Sequence, residues 1–167
     1  MLGDDMEALA YYNPEKRILI SGDALWENGF GVIFPELLGE ADGLASTQET
    51  LEMLSRLPID VVIPGHGAPF VTVDAAFERA FRRLGNFRNN IEQLAWHAIK
   101  VIVSFAMMEK RQLPKEDFPA FVLSLPFAVD VNARFLNLSG EALVAGVERQ
   151  LLLVNALHRK DGMITAG

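Results

Sequence analysis

This 167-residue chain encodes an α/β lobe over residues 1–73, followed by a mainly helical domain over residues 74–167. Three observations point to that division. Residues 17–21 and 59–63 are short apolar strands, and each runs into a glycine beside a metal-capable side chain, with a helical pattern between them. From about residue 75 the apolar spacing changes to the i, i+3, i+4, i+7 period of amphipathic helices. The charge breaks at the same place: residues 1–74 hold 13 acids against 3 bases, or −10, and residues 75–167 hold 9 acids against 12 bases, or +3. That break sets a boundary near Thr72 to Asp74.

Half of the residues are hydrophobic, enough for a sizeable core and too many for global disorder. The longest apolar run, residues 98–108, is interrupted by Lys100 and Ser104, so no run approaches the ~20 residues of a bilayer span and no membrane partner is expected. The N-terminus carries Asp4, Asp5 and Glu7 where a signal peptide would carry bases. With no cysteine there can be no disulfide and no thiolate metal site, which fits a reducing, cytoplasmic location. The acidic first part disfavours a phosphate-backbone partner there.

In the lobe, residues 7–12 and 17–21 are β-prone and flank Asn13-Pro14-Glu15-Lys16, a turn sequence, so residues 7–21 form a hairpin. The continuous Ile18-Leu19-Ile20 calls for burial on both faces. Residues 24–42 follow with no regular period, broken by Gly29, Gly31, Pro35 and Gly39. Such an apolar loop suits a substrate-pocket wall, with Trp26, Phe30 and Phe34 as candidates; equally, it can tuck those rings into the core. Ser46 or Thr47 caps a helix that runs to Leu57, with Leu51, Leu54 and Leu57 on one side, and Pro58 ends it.

Asp74 can cap the next helix, whose face holds Phe77, Ala80, Phe81 and Leu84 and continues through Phe87, Ile91, Leu94 and Ala98, with a break or bend at Gly85-Asn86. Residues 91–110 are strongly apolar, and Pro114 stops them. Residues 115–125 form a short helix. Residues 127–138 are either a third short helix or an ordered connection. A further helix starts at Ser139, with Leu143, Val147, Leu151 and Val154 in register. Residues 157–165 close the chain as two short strands around Lys160-Asp161-Gly162. Helices followed by a small hairpin are the order of a winged-helix module.

The chemistry lies at the two strand ends, in Ser21-Gly22-Asp23-Ala24-Leu25 and Pro64-Gly65-His66-Gly67. A carboxylate suits bridging between cations, and a neutral imidazole is the commonest nitrogen ligand for zinc. Strand, helix, strand puts Asp23 and His66 at neighbouring C-terminal strand ends, where α/β layers carry their sites. His97, beside Trp96 on an apolar helix, reads as a core or interface histidine, and His158 as a solvated one.

These two motifs, in this order and about forty residues apart, resemble the second half of a metallo-β-lactamase-fold hydrolase. The helical tail is similar in order to the C-terminal domain appended to some of these enzymes. The resemblance implies a partial αββα lobe over residues 1–73 and a winged-helix-like domain over residues 74–167. It implies that Asp23 bridges two divalent metals, zinc foremost or else iron or manganese, and that His66 completes the second. The reaction implied is hydrolysis of an ester, thioester, lactone or phosphoester bond by a metal-bound hydroxide. The family's leading His-x-His-x-Asp-His does not occur in this chain, which has three histidines. The chain is therefore read as the C-terminal portion of the enzyme, truncated just inside the fold near Gly3-Asp4-Asp5-Met6. Alone it is expected to hold metal weakly or not at all and to lack hydrolase activity.

Two other functions suit the sequence. One is a non-catalytic association module that pairs with a second copy through an exposed apolar face or the Phe- and Leu-rich tail helices. The other is a winged-helix nucleic-acid binder. Against the latter, the candidate recognition helix carries Glu141 and Glu148 against a lone Arg149.

Overall fold

The computed structural model describes residues 9–39 and 42–167. The chain divides into two compact units, residues 1–90 and 91–167. The division lies beyond the charge break, because the arginine-rich helix after residue 73 packs within the first unit.

In the first unit, β1 (Tyr11–Asn13) and β2 (Ile18–Gly22) form an antiparallel hairpin with Tyr11 opposite Ile20. Asn13 Oδ1 accepts from the Lys16 N–H at 3.0 Å and tightens the turn. Glu7 and Ala8, the expected start of this hairpin, lie outside the described residues, as does Gly3-Asp4-Asp5-Met6. β3 (Val61–Pro64) runs parallel to β2, Leu19 beside Val62, so the sheet order is β1-β2-β3. A parallel pair needs a crossover. It is supplied by the single turn α1 (Pro35–Leu38) and by α2 (Gly43–Ser55), and α3 (Val73–Asn89) then packs on α2. Leu19 and Val62 from the sheet, Leu51 and Leu54 from α2, and Ala76, Phe77, Ala80 and Leu84 from α3 are buried and form the core of this unit.

Several details differ from the sequence reading. Ile20 is 47% exposed and Ile63 38%. β2 therefore buries one face and presents the other, although its apolar run suggests two buried faces. The helix α2 begins at Gly43, ahead of Ser46 and Thr47. Its first-turn Leu44 N–H is taken by the Glu36 carboxylate, and Thr47 Oγ1 donates back to Gly43 O at 2.7 Å, a mid-helix use of a hydroxyl. The loop after Asp23 contains α1 in place of a fully irregular run. α3 passes through Gly85-Asn86 unbroken and ends at Asn90, which is extended at φ −149°, ψ 94°.

In the second unit, α4 (Ile91–Lys110) has the span its hydrophobicity predicts and buries Leu94, Ala95, Ala98, Ile99, Val103 and Met107. By length and composition alone this helix is long and apolar enough to cross a membrane. Core helices of globular domains share that length and composition. Left-handed Arg111 (φ 67°) ends α4 and donates its N–H to Met107 O at 2.7 Å. Next comes β4 (Gln112–Pro114), a strand the sequence does not reveal, because the strand it pairs with lies some fifty residues downstream.

A 3₁₀ turn at Lys115–Asp117, α5 (Phe118–Leu123), α6 (Pro126–Val131) and a π-helical turn at Asn132–Leu136 follow. Residues 127–138, for which the sequence allows either a helix or an ordered connection, are therefore mostly helical. Buried Asn132 clamps their end, donating to Leu138 O at 3.0 Å and accepting the Leu138 N–H at 3.2 Å. Ser139 Oγ accepts from Ala142 N at 3.2 Å and caps α7 (Gly140–Leu153). β5 (Leu157–Lys160) and β6 (Met163–Ala166) form the closing hairpin around Asp161 and Gly162, both at positive φ, and the sheet order is β4-β6-β5.

Candidate metal centre

β2 and β3 run side by side and stop together, with Gly22 paired to Pro64 across a local register shift. The Gly65 N–H donates to Gly22 O at 2.8 Å, which ties the two strand ends. Gly22 is left-handed (φ 54°) and Gly67 is at φ 95°, so the chain leaves each strand through a conformation that favours glycine. Asp23 follows Gly22 and His66 precedes Gly67, and the two side chains project next to each other: His66 Nε2 lies 3.9 Å from Asp23 Oδ1, with the His66 and Asp23 side chains 62% and 36% exposed respectively.

The turn after Asp23 is held in several places. Ser21 is buried, and its Oγ donates to Leu25 O at 2.6 Å. The Gly31 N–H donates to Asp23 O at 2.7 Å. Trp26 and Gly29 exchange backbone hydrogen bonds of 2.7 and 3.3 Å around Glu27-Asn28. That tip is docked on α3, where Arg79 Nε donates to Glu27 O at 2.7 Å, and Thr72 Oγ1, just ahead of the helix, donates to Glu27 Oε1 at 3.2 Å. Arg83 lies over Phe30 and Phe87, its guanidinium 5.1 and 5.4 Å from the ring centroids. Burial pushes its pKa below the usual arginine value.

The three aromatic pocket candidates have different places. Phe30 is buried edge-on to Phe87, with centroids 6.3 Å apart, and belongs to the core of the unit. Phe34 is half-buried at the start of α1. Trp26 touches both metal-capable residues. Its Nε1–H is shared between Asp23 Oδ1 and Gly22 O, each at 3.2 Å, and its ring meets the His66 ring in a T at 5.2 Å and 77°. Nothing in the sequence signals this contact or the close approach at Gly65. Asp23 and Trp26 are three apart in a stretch without periodicity, and Gly65 meets Asp23 only across the strand pair.

Two ligand atoms about 2.0–2.1 Å from one tetrahedral zinc lie roughly 3.3 Å apart. The 3.9 Å separation of Asp23 Oδ1 and His66 Nε2 closes to that with a shift of about 0.6 Å, well within the rotamer freedom of exposed side chains. Carboxylate and imidazole are the right donors for a divalent cation. The number of donors is short: among the described residues, no three His, Cys, Asp or Glu side chains gather around a common point.

Residues 8–66 match the family model of the metallo-beta-lactamase superfamily. No curated protein matches the chain. Among solved structures, a metallo-beta-lactamase family protein from Thermus thermophilus is 18% identical with a TM-score of 0.38, over 95% of this chain and 44% of that one. A beta-lactamase domain protein from Burkholderia ambifaria is 20% identical with a TM-score of 0.37, over 95% of this chain and 43% of that one. The chain thus spans less than half the length of each of these structures.

Proposed function

We propose that this chain, whose residues 8–66 match the metallo-β-lactamase superfamily model, is a portion of a metal-dependent hydrolase of that superfamily. Asp23 and His66 hold a divalent cation, and the substrate is an ester, thioester, lactone or phosphoester. The observation that carries this reading is the 3.9 Å approach of His66 Nε2 to Asp23 Oδ1 at two adjoining strand ends. When bound, divalent cations supply a nucleophilic water at neutral pH and polarise the scissile oxygen. The chain's own residues orient the donors: the paired strands fix their spacing, and the turn docked on α3 fixes the Asp23 backbone.

A catalytic zinc takes about three protein ligands, so two donors leave this chain a weak metal binder and an inactive hydrolase by itself. Zinc titration by calorimetry is expected to show no sub-micromolar binding. Tight stoichiometric binding would overturn the incomplete-site reading. Substituting His66→Ala should also remove whatever weak binding the wild type shows, and an unchanged response would overturn the site itself.

The order α4, β4, short helices, α7, β5, β6, with strand order β4-β6-β5, supports a winged-helix-like arrangement of residues 91–167. We read it as an association module and not as a nucleic-acid binder. The outer positions of α7 include Glu141, Ala142, Ala145 and Leu153 beside Arg149, and residues 91–167 hold 8 acids against 8 bases, a net charge of zero. Retention of duplex DNA in a salt-dependent mobility assay would overturn that choice.

A further inference from the structure

Asp23 and His66 are both partly open to solvent, so packing alone does not hold them facing each other. One side chain, Trp26, contacts both. Its Nε1–H lies 3.2 Å from Asp23 Oδ1, the same oxygen that faces His66 Nε2, and the edge of one ring meets the face of the other at 5.2 Å between Trp26 and His66. We propose that Trp26 is a positioning residue whose indole N–H pins Asp23 Oδ1 on the His66 side, so that the two donors converge on one cation.

This inference rests on the metal-binding reading of Asp23 and His66 given above. An ionised carboxylate has about four lone-pair sites, so accepting one indole hydrogen bond leaves Oδ1 able to bind a cation. What the hydrogen bond removes is rotation of the carboxylate. Trp26 can restrain it because its own backbone is restrained, by the pair of bonds to Gly29 and by the grip of Arg79 and Thr72 on Glu27. The indole thus transmits the position of α3 to the carboxylate. A tryptophan that merely lined a pocket would need its ring and not its N–H.

The test separates ring from N–H with Trp26→Phe and reads the site by nuclear magnetic resonance. In the metal-free full chain, Trp26→Phe identifies the Trp26 Nε1–H signal by deleting it. Substituting Asp23→Ala in the otherwise wild-type chain should move that signal upfield and speed its exchange with solvent several-fold. No change would overturn the proposal, and this arm does not depend on Trp26→Phe folding. In a second arm, Mn²⁺ is titrated and paramagnetic broadening of the His66 imidazole protons is followed, a readout that detects weak binding. Losing one hydrogen bond to a charged group should raise the Mn²⁺ concentration for half-broadening by about tenfold in Trp26→Phe. A value within about twofold of wild type, while Asp23→Ala abolishes the broadening, overturns the positioning role and leaves the metal reading standing. Broadening equal in wild type and Asp23→Ala overturns the shared-cation reading, and the positioning role with it.

Discussion

A Cβ added at Gly65 would sit 2.9 Å from Asp23 Oδ1 and 3.1 Å from the Gly22 carbonyl carbon. The Asp23 carboxylate can swing aside, but Gly22 is backbone and its oxygen already accepts the Gly65 N–H, so it yields less easily. Gly65→Ala should therefore push Asp23 away from His66 and part the strand ends, at a cost of about 1–3 kcal/mol. Chemical denaturation checks the stability, and the Mn²⁺ response of His66 checks the site. Gly67 offers the contrast: open space surrounds it, but its φ of 95° strains any L side chain. Of the two candidate donors, His66 stands out in the sequence, since a histidine between glycines after an apolar strand has little packing reason to be there, whereas Asp23, in a Gly-Asp turn that is ordinary after a strand, stands out only when paired with it. Trp26 reads as a pocket wall or a core ring, because sequence shows a bulky ring in a loop and not where its N–H points.

The helices divide their glycines in a similar way. Gly85 sits inside α3 with nothing within 4 Å of an added methyl. Gly85→Ala should stabilise the first unit by about 0.5–1 kcal/mol, the ordinary helix penalty of glycine, measured as a raised denaturation midpoint. Gly146 in α7 is the opposite case, where a Cβ would run into the Trp96 ring. Gly146→Ala should destabilise the second unit by about 1–3 kcal/mol in the same assay. The sequence sets Gly146 within a helix and suggests a break or bend at Gly85-Asn86, and it does not show which of the two a neighbouring ring approaches. The same limit explains which elements can be read in advance. α4 and the Ser139 cap are written locally, in hydrophobic period and capping chemistry. β4 depends on a distant partner, and the start of α2 depends on the Glu36 carboxylate, which reaches it from α1.

Across the whole molecule, the charge of −7 is carried by the first unit: residues 1–90 hold 14 acids against 7 bases, or −7, and residues 91–167 sum to zero. The first unit also presents a shallow, mainly apolar groove of about 530 Å³, in which Tyr11, Tyr12, Ile18, Ile20 and Ile63 lie beside Asn13, Pro14 and Glu15 of the turn. Large exposed apolar patches are rare on monomers. Light scattering at rising concentration should show association that the double substitution Ile20→Ser and Ile63→Ser reduces; an unaffected association would move the contact to the helical unit. The pattern of strand, helix and strand is readable because its hydrophobic runs are strong. The open sheet face is not, because Ile18-Leu19-Ile20 reads the same whether one face is covered or two.

Crystals of the chain soaked in millimolar Mn²⁺ would locate the cation by its anomalous scattering. The expected map has one peak between the strand ends, within about 2.5 Å of both an Asp23 carboxylate oxygen and His66 Nε2. A peak bound to neither residue, or the two side chains turned away from each other around an empty gap, would show that these strand ends do not share a metal.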